Sequence, residues 1–125
     1  MTNLNEISKQ FHERAKQKGF WDEKREIGTL LMLVVSELSE ALEADRKGLN
    51  ARIDIFDFYF KSDFTDKQYS ELFKDTIKDT FEDEIADTFI RLFDLVGFLG
   101  IDIDKHIELK MKFNATREHK HGKAY

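Results

Sequence analysis

Carboxylates inside an apolar helical pattern are the feature of this sequence most able to carry out chemistry. Glu37 and Glu40 lie in IGTLLMLVVSELSEALEA, the most apolar part of the chain. At 100° per residue, Leu33 and Ala41 fall within about 40° of Glu37, and Glu40 lies about 60° from Glu37. Both carboxylates therefore lie on the stripe expected to face the core. Unpaired burial of an ionised carboxylate costs several kcal/mol, so a positive group must compensate them.

A second acidic pair, Glu84 and Asp87, has the same spacing on a later predicted helix. Arg91 is the only cation in the central section of that helix, and we expect it not to supply the missing compensation. Four carboxylates on two packed helices repel one another unless a cation lies between them. Oxygen-only ligand sets favour Mg²⁺ or Mn²⁺. The pattern therefore predicts a site for such a cation, with the ligands Glu37, Glu40, Glu84 and Asp87.

Two other interpretations of the acidic pairs stay open. Most Glu-x-x-Glu pairs on helices are solvated surface, and only the apolar stripe around Glu37 favours a metal here. A di-iron carboxylate site is less favoured, because neither pair contains the histidine of the Glu-x-x-His pattern.

Complementary charge is found near the end of the chain. Lys110, Asn114 and Arg117 are spaced i, i+4 and i+7 and share one helical face, and Lys123 lies in the basic stretch that follows. A cationic face opposite a metal-binding cluster suits a polyphosphate, whose oxygens bind metal on one side and Lys or Arg on the other. The alternative is a solubilising basic tail.

The elements that carry these residues are predicted to be helices. Apolar residues at three- and four-residue spacing, with glycines as stops, predict helices over about residues 4–18, 23–47, 78–99 and 102–119. Thr65–Gln68 resembles a capping box that opens a shorter helix, whereas residues 49–64 fit neither a helical nor a strand period. We therefore expect an all-α, four-helix-bundle-like single domain over 1–125, with an aromatic-rich insertion at residues 50–76.

Composition excludes several function classes. The 125 residues include no cysteine, which excludes disulfides, thiolate zinc sites and cysteine nucleophiles. A net charge of −5 argues against a general nucleic-acid coat. The sequence shows no signal peptide and no apolar run of the roughly 20 residues that a bilayer requires, so we expect a cytoplasmic protein without membrane association.

Three segments together resemble a known family. SELSEAL, EDEIADTFIRLFDL and KMKFNATREHKHGK are similar, in this order, to the motifs of MazG-like all-α nucleoside triphosphate pyrophosphohydrolases. GFWDEKREIGTLLMLVVSELSEALEADRKG is especially similar to small single-domain members. The resemblance covers about three-quarters of the chain and omits residues 50–76.

The resemblance implies a Mg²⁺-dependent enzyme that cuts a (deoxy)nucleoside triphosphate between the α and β phosphates. It also implies a homodimer or higher homo-oligomer, which the apolar surface of the 50–76 segment supports. Ser36 stands where many members have a further glutamate, which leaves one ligand fewer. By this resemblance the metal ligands and catalytic residues are Glu37, Glu40, Glu84 and Asp87, and the substrate-binding residues are Lys110, Asn114, Arg117 and Lys123.

The roles of two residues and one alternative function are supported by fewer features of the sequence. We expect Glu40 to orient the attacking water, and Trp21 either to stack on the base or to be an ordinary core or dimer-contact residue. Mn²⁺ is a possible substitute for Mg²⁺. The alternative function is a non-catalytic helical interaction module that binds a protein partner through residues 50–76.

Overall fold

The computed structural model describes residues 3–117, and within that range the protein contains helices and no strand. The predicted all-α class is therefore confirmed, while the specific pyrophosphohydrolase fold stays a prediction. None of the described helices is both long and apolar enough to cross a bilayer. The helices are α1 (Leu4–Gln17), α2 (Ile27–Arg46), α3 (Ile53–Tyr59), α4 (Asp66–Thr76), α5 (Phe81–Leu99) and α6 (Ile103–Ala115).

The chain divides into two compact units. The first contains the residues up to Lys24 together with those from Phe93 onward, and the second contains Arg25–Leu92. The boundary falls within α5, so the two ends of this helix belong to different units. The single domain expected over residues 1–125 stays a prediction.

Several helix ends follow from local chemistry that the sequence predicted. Gly48 and Gly100 adopt positive φ angles of 68° and 67° after α2 and α5, a backbone conformation that favours glycine. The capping box of α4 is complete: Thr65 accepts a hydrogen bond from Gln68 N, and the Gln68 side chain accepts one from Thr65 N. Asp102 caps α6 by accepting a hydrogen bond from Lys105 N.

Three predicted helix bounds were wrong. The second helix begins at Ile27 rather than near residue 23, because Glu26 is extended and no side chain caps an earlier turn. The helix predicted from residue 78 begins at Phe81, because Asp79 has a left-handed φ of 63° that interrupts the helical path. The last helix ends at Ala115 within the described residues, four residues before the predicted end.

In the first unit, α1 contacts α6, and their starts are joined by hydrogen bonds. Asp104 accepts hydrogen bonds from the backbone N–H groups of Leu4 and Asn5. Gly97 on α5 lies so close to the Ser8 backbone of α1 that a Cβ atom there would collide with it. The absence of a side chain at Gly97 therefore permits the close approach of α1 and the end of α5.

In the second unit, the aromatic insertion forms its own small cluster. The ambiguous segment contains the seven-residue helix α3, which contacts α4. Phe56 and Phe60 stack with ring centroids 5.6 Å apart, and Tyr69 of α4 meets both rings edge-on. Phe58, two residues after Phe56, lies on the opposite face of α3 and is 79% exposed. The insertion is therefore only partly covered by the rest of the chain.

Some residues expected to face inward are exposed instead. Within the two units, the buried apolar residues include Leu30, Ala41 and Ala44 of α2 and Leu95 and Val96 of α5. The helical period of a sequence identifies an apolar stripe, but it does not show how completely neighbouring helices cover that stripe. In α3 and α6 the cover is so incomplete that neither helix contains a buried residue. The three- and four-residue spacing of apolar side chains in the sequence also predicts an inward position for five residues that are exposed, so for them the prediction was wrong: Tyr69, Leu92, Leu99, Ile107 and Met111.

Candidate metal centre

Three of the four predicted metal ligands come together in the second unit. One carboxylate oxygen from each of Glu37, Glu84 and Asp87 lies within 4.8 Å of the others. Glu37 and Glu84 are buried, with 7% and 5% of their surface exposed, and Asp87 is half-buried. Glu40 lies outside this group and is exposed, as its larger angle from the buried stripe of α2 explains.

Arg91 supplies part of the positive charge that the sequence appeared to lack. Its Nε atom donates a hydrogen bond of 2.7 Å to Oε1 of Glu37. The expectation that this helix offers no compensation was therefore wrong. Arg91 follows Asp87 by one helical turn, so the two side chains share a face of α5 and reach the same cluster. The guanidinium bonds to one of the three carboxylates and opposes the rise in the pKa of a second, Asp87, so it compensates only part of the negative charge of the cluster.

Two oxygens of the cluster are left without a hydrogen bond. Oε2 of Glu37 and Oε2 of Glu84 are buried and have no partner among residues 3–117. A buried acceptor without a donor carries its full desolvation cost, which is larger for a charged group. Each orphaned oxygen therefore needs either a proton or a cation.

The electrostatics of Glu84 show how costly its charge is. Burial, followed by side-chain hydrogen bonding with Glu40 and Glu37 and by the negative charge of these two carboxylates, raises the pKa of Glu84 from 4.5 to about 8. Burial and the nearby Asp83 and Glu37 also raise the pKa of Asp87, and Arg91 opposes this shift. Without a metal, Glu84 therefore keeps a proton at neutral pH.

The donor set fits a hard divalent cation. Ligand oxygens lie about 2.0–2.1 Å from Mg²⁺ and about 2.3–2.6 Å from Ca²⁺, so two ligands of one Mg²⁺ ion lie at most about 4.2 Å apart. The three carboxylate oxygens lie within 4.8 Å of one another, so small side-chain movements suffice to bring them onto one such cation. All three donors are carboxylate oxygens, which bind Mg²⁺ and Mn²⁺ in preference to softer metals.

A second acidic group, Asp79, Asp83 and Glu84, shares Glu84 with the first. Two of its members already have partners nearby. Asp79 accepts a hydrogen bond from Lys78 Nζ at 2.9 Å, and Asp83 accepts one from the backbone N–H of Asp79. The orphaned oxygens of Glu37 and Glu84 therefore mark the first group as the candidate centre.

Part of the predicted basic face lies on α6 in the first unit. The Lys110 ammonium and the Arg117 guanidinium both lie over the ring of Phe113, at 5.1 and 5.5 Å from its centroid. Oδ1 of Asn114 is buried without a hydrogen-bond partner in the described part of the chain. Lys110 and Asn114 therefore lie on α6, whereas Arg117 lies two residues beyond its end at Ala115 and approaches Lys110 only through the shared ring of Phe113. Their role in binding substrate stays a prediction, and Lys123 lies outside the described residues.

Trp21 belongs to a polar and aromatic cluster of the first unit. Its ring stacks on Phe98 at a centroid distance of 4.2 Å, and its Nε1–H donates to Asp94 at 2.9 Å. The same Asp94 oxygen lies 2.9 Å from Nδ1 of His12. These contacts favour the interpretation of Trp21 as a core residue. Sequence reasoning missed the role of Asp94, because no local spacing connects it with residues so distant in the chain.

Ser36, which stands where many MazG-like proteins have a glutamate, is exposed and donates to the Leu33 carbonyl at 2.7 Å. It adds no ligand to the cluster.

Comparison with known proteins found no matching family model, no matching curated protein and no matching solved structure. The resemblance to MazG-like enzymes therefore rests on the motifs of the sequence.

Proposed function

We propose that this protein is a Mg²⁺-dependent hydrolase that converts a (deoxy)nucleoside triphosphate into the monophosphate and pyrophosphate. The observation that carries the proposal is the buried carboxylate cluster of Glu37, Glu84 and Asp87, with two orphaned oxygens and a single arginine. The motif resemblance supplies the reaction class. Nucleotide substrates of this kind are consistent with a cytoplasmic location.

The residues divide into distinct roles. Glu37, Glu84 and Asp87 hold the metal, which when bound neutralises phosphate charge and lowers the pKa of bound water. Glu40 is exposed, yet close enough to Glu84 to raise its pKa, and we assign it the orientation of the attacking water. Water forms a new P–O bond at the α–β phosphoanhydride as the bond from that phosphorus to the bridging oxygen breaks. Its proton passes to Glu40 and then to solvent, and the products are monophosphate and pyrophosphate.

The basic face of α6 is the candidate phosphate-binding element. Lys110 on α6 and Arg117 just beyond its end offer charged donors held over the same aromatic ring, that of Phe113. Charge-assisted hydrogen bonds of this type are about twice as strong as neutral ones and suit phosphate oxygens. Asn114 and Lys123 complete the proposed substrate-binding set.

The active form is proposed to be a homo-oligomer, and α2 supplies the supporting observation. Ile27, Leu31, Val35, Leu38 and Leu42 form a stripe with spacings of four, four, three and four residues, and each is 45–50% exposed. Leu30, Ala41 and Ala44 of the same helix are buried. A helix that is apolar on two faces is normally covered on both.

A second copy of this chain is the occupant that we propose for the α2 stripe. The stripe contains no charged residue. With the exposed Met32 it offers on the order of 500 Å² of apolar surface, most of the roughly 800 Å² per partner of a standard interface.

The test of the proposed activity is a panel of the common and several damaged nucleoside triphosphates, incubated with Mg²⁺ and analysed by ³¹P NMR. We expect monophosphate and pyrophosphate from at least one deoxynucleotide, and no product with chelator present. Orthophosphate together with a diphosphate would overturn the assigned reaction. No product from any nucleotide would favour a binding module that uses the exposed Phe58 and Tyr59.

A further inference from the structure

We propose that Arg91 is a positioning residue of the metal centre, which holds Glu37 by one oxygen so that the other faces the cation. This inference rests on the proposed function. It assigns a role to a residue that is neither one of the predicted carboxylate ligands nor part of the predicted basic face.

The geometry of Glu37 carries the proposal. Oε1 accepts the hydrogen bond from Arg91 Nε at 2.7 Å, whereas Oε2 is buried and has no partner within residues 3–117. The final torsion of a glutamate side chain is broad, so an unrestrained carboxylate rotates readily. A directional donor on Oε1 fixes that torsion and leaves the lone pairs of Oε2 available to a metal.

Exposure distinguishes the two partners. The Glu37 side chain is 9% exposed, whereas that of Arg91 is 37% exposed. The guanidinium therefore reaches a buried acceptor from the edge of the unit and does not enter the cluster as a buried charge. This is the arrangement of an outer-sphere group that orients a ligand, and removal of such groups typically lowers metal affinity by about 10–100-fold.

A purely electrostatic role makes the opposite prediction. If Arg91 served only as a counter-ion, it would repel an incoming divalent cation, and its removal would tighten metal binding. If it positions Glu37, its removal weakens metal binding even though a repelling charge is lost. The sign of the change in Mg²⁺ affinity therefore decides between the two roles.

The experiment is a calorimetric titration of the chelator-stripped full chain with Mg²⁺ alone. We expect Arg91→Gln to raise the dissociation constant by about tenfold or more. Arg91→Lys keeps the charge but not the planar donor, so we expect a smaller loss that still exceeds twofold. Arg46→Gln is the matched control, because Arg46 is an exposed arginine of the same unit, 4.0 Å from Glu43.

Unchanged or tighter Mg²⁺ binding in Arg91→Gln, with unchanged circular dichroism, would overturn the inference but not the proposed function. If Arg91→Gln does not fold, the Mg²⁺ dissociation constant of Arg91→Lys decides: an unchanged or lower value would overturn the inference. Absence of Mg²⁺ binding in the wild type would overturn both proposals. A merely structural Arg91 would lower thermal stability equally with chelator and with Mg²⁺ and leave the dissociation constant of folded protein unchanged.

Discussion

Arg91 Nε and Glu37 Oε1 lie 2.7 Å apart, although 54 residues separate them in the chain. Their hydrogen bond joins α5 to α2 at the place where Glu84 and Asp87 also meet Glu37. It neutralises one carboxylate and leaves the pKa of Glu84 raised to about 8. The carboxylate cluster is therefore held in place by Arg91, but its negative charge is only partly compensated.

Asp87→Asn separates a ligand from a structural acid. Because burial and neighbouring carboxylates raise the pKa of Asp87, its ionised form is unfavourable in the metal-free protein. We expect the variant to lose activity and, in chelator, to be as stable as the wild type or more stable. Mg²⁺ should raise the melting temperature of the wild type and have much less effect on the variant.

The measurement for Asp87→Asn is a set of four thermal melts, wild type and variant, each with Mg²⁺ and with chelator. Glu71→Gln serves as the control, because Glu71 is an exposed carboxylate of the same unit. An equal drop in melting temperature under both conditions, with turnover preserved, would show that Asp87 is a structural acid.

The thermal stability of the metal-free protein should fall as the pH rises. The folded pKa of Glu84 lies above its ordinary value of 4.5, so its contribution to stability is present below about pH 4.5 and is lost as pH rises through about 8. Asp87 shifts in the same direction. We therefore expect the melting temperature in chelator to fall between pH 6 and pH 9, and to fall less in Glu84→Gln.

Thermal melts in chelator across this pH range test the prediction. The pKa values of Glu82 and Asp102 are lowered, chiefly by hydrogen bonds from Asn50 and Asn5, so their effects appear only at more acidic pH. A melting temperature that rises toward pH 9, or an identical pH profile in Glu84→Gln, would contradict the electrostatic description of the cluster.

Arg117→Ala should weaken catalysis through substrate binding. Loss of one charge-assisted hydrogen bond to phosphate is expected to lower kcat/KM by about tenfold or more. Lys112→Ala is the control, since Lys112 is an exposed cation of α6, five residues before Arg117. Steady-state kinetics with the best nucleotide of the panel provide the measurement. Equal kcat/KM in the two variants would assign Arg117 to a solubilising surface.

Leu31→Glu should disrupt the proposed oligomer. Leu31 is 47% exposed in the middle of the α2 stripe, and a buried glutamate there would lack a partner in a self-associated interface. Sedimentation velocity should show a smaller species than the wild type at equal concentration. Thr29→Glu places the same charge on an exposed position of α2 away from the stripe. A monomeric wild type would refute the proposed interface.

Local rules predicted much of the fold and part of the site. The glycine stops, the Thr65 capping box and the convergence of Glu37 with Glu84 and Asp87 follow from spacing and side-chain chemistry. The pairing of Arg91 with Glu37 did not, because it depends on how two helices are aligned rather than on the period of either one. The hydrogen bonds of Asp94 escaped prediction for the same reason.

Mg²⁺ binding by the stripped full chain tests the central claim most directly, because every proposed role depends on the cation. Calorimetry of the wild type should show saturable binding that tightens between pH 7 and pH 9, as Glu84 loses its proton. Binding should disappear in Glu84→Gln and persist in Glu71→Gln. No saturable binding in the wild type at pH 9, or equal binding in Glu84→Gln, would contradict the assignment of this cluster as a metal centre.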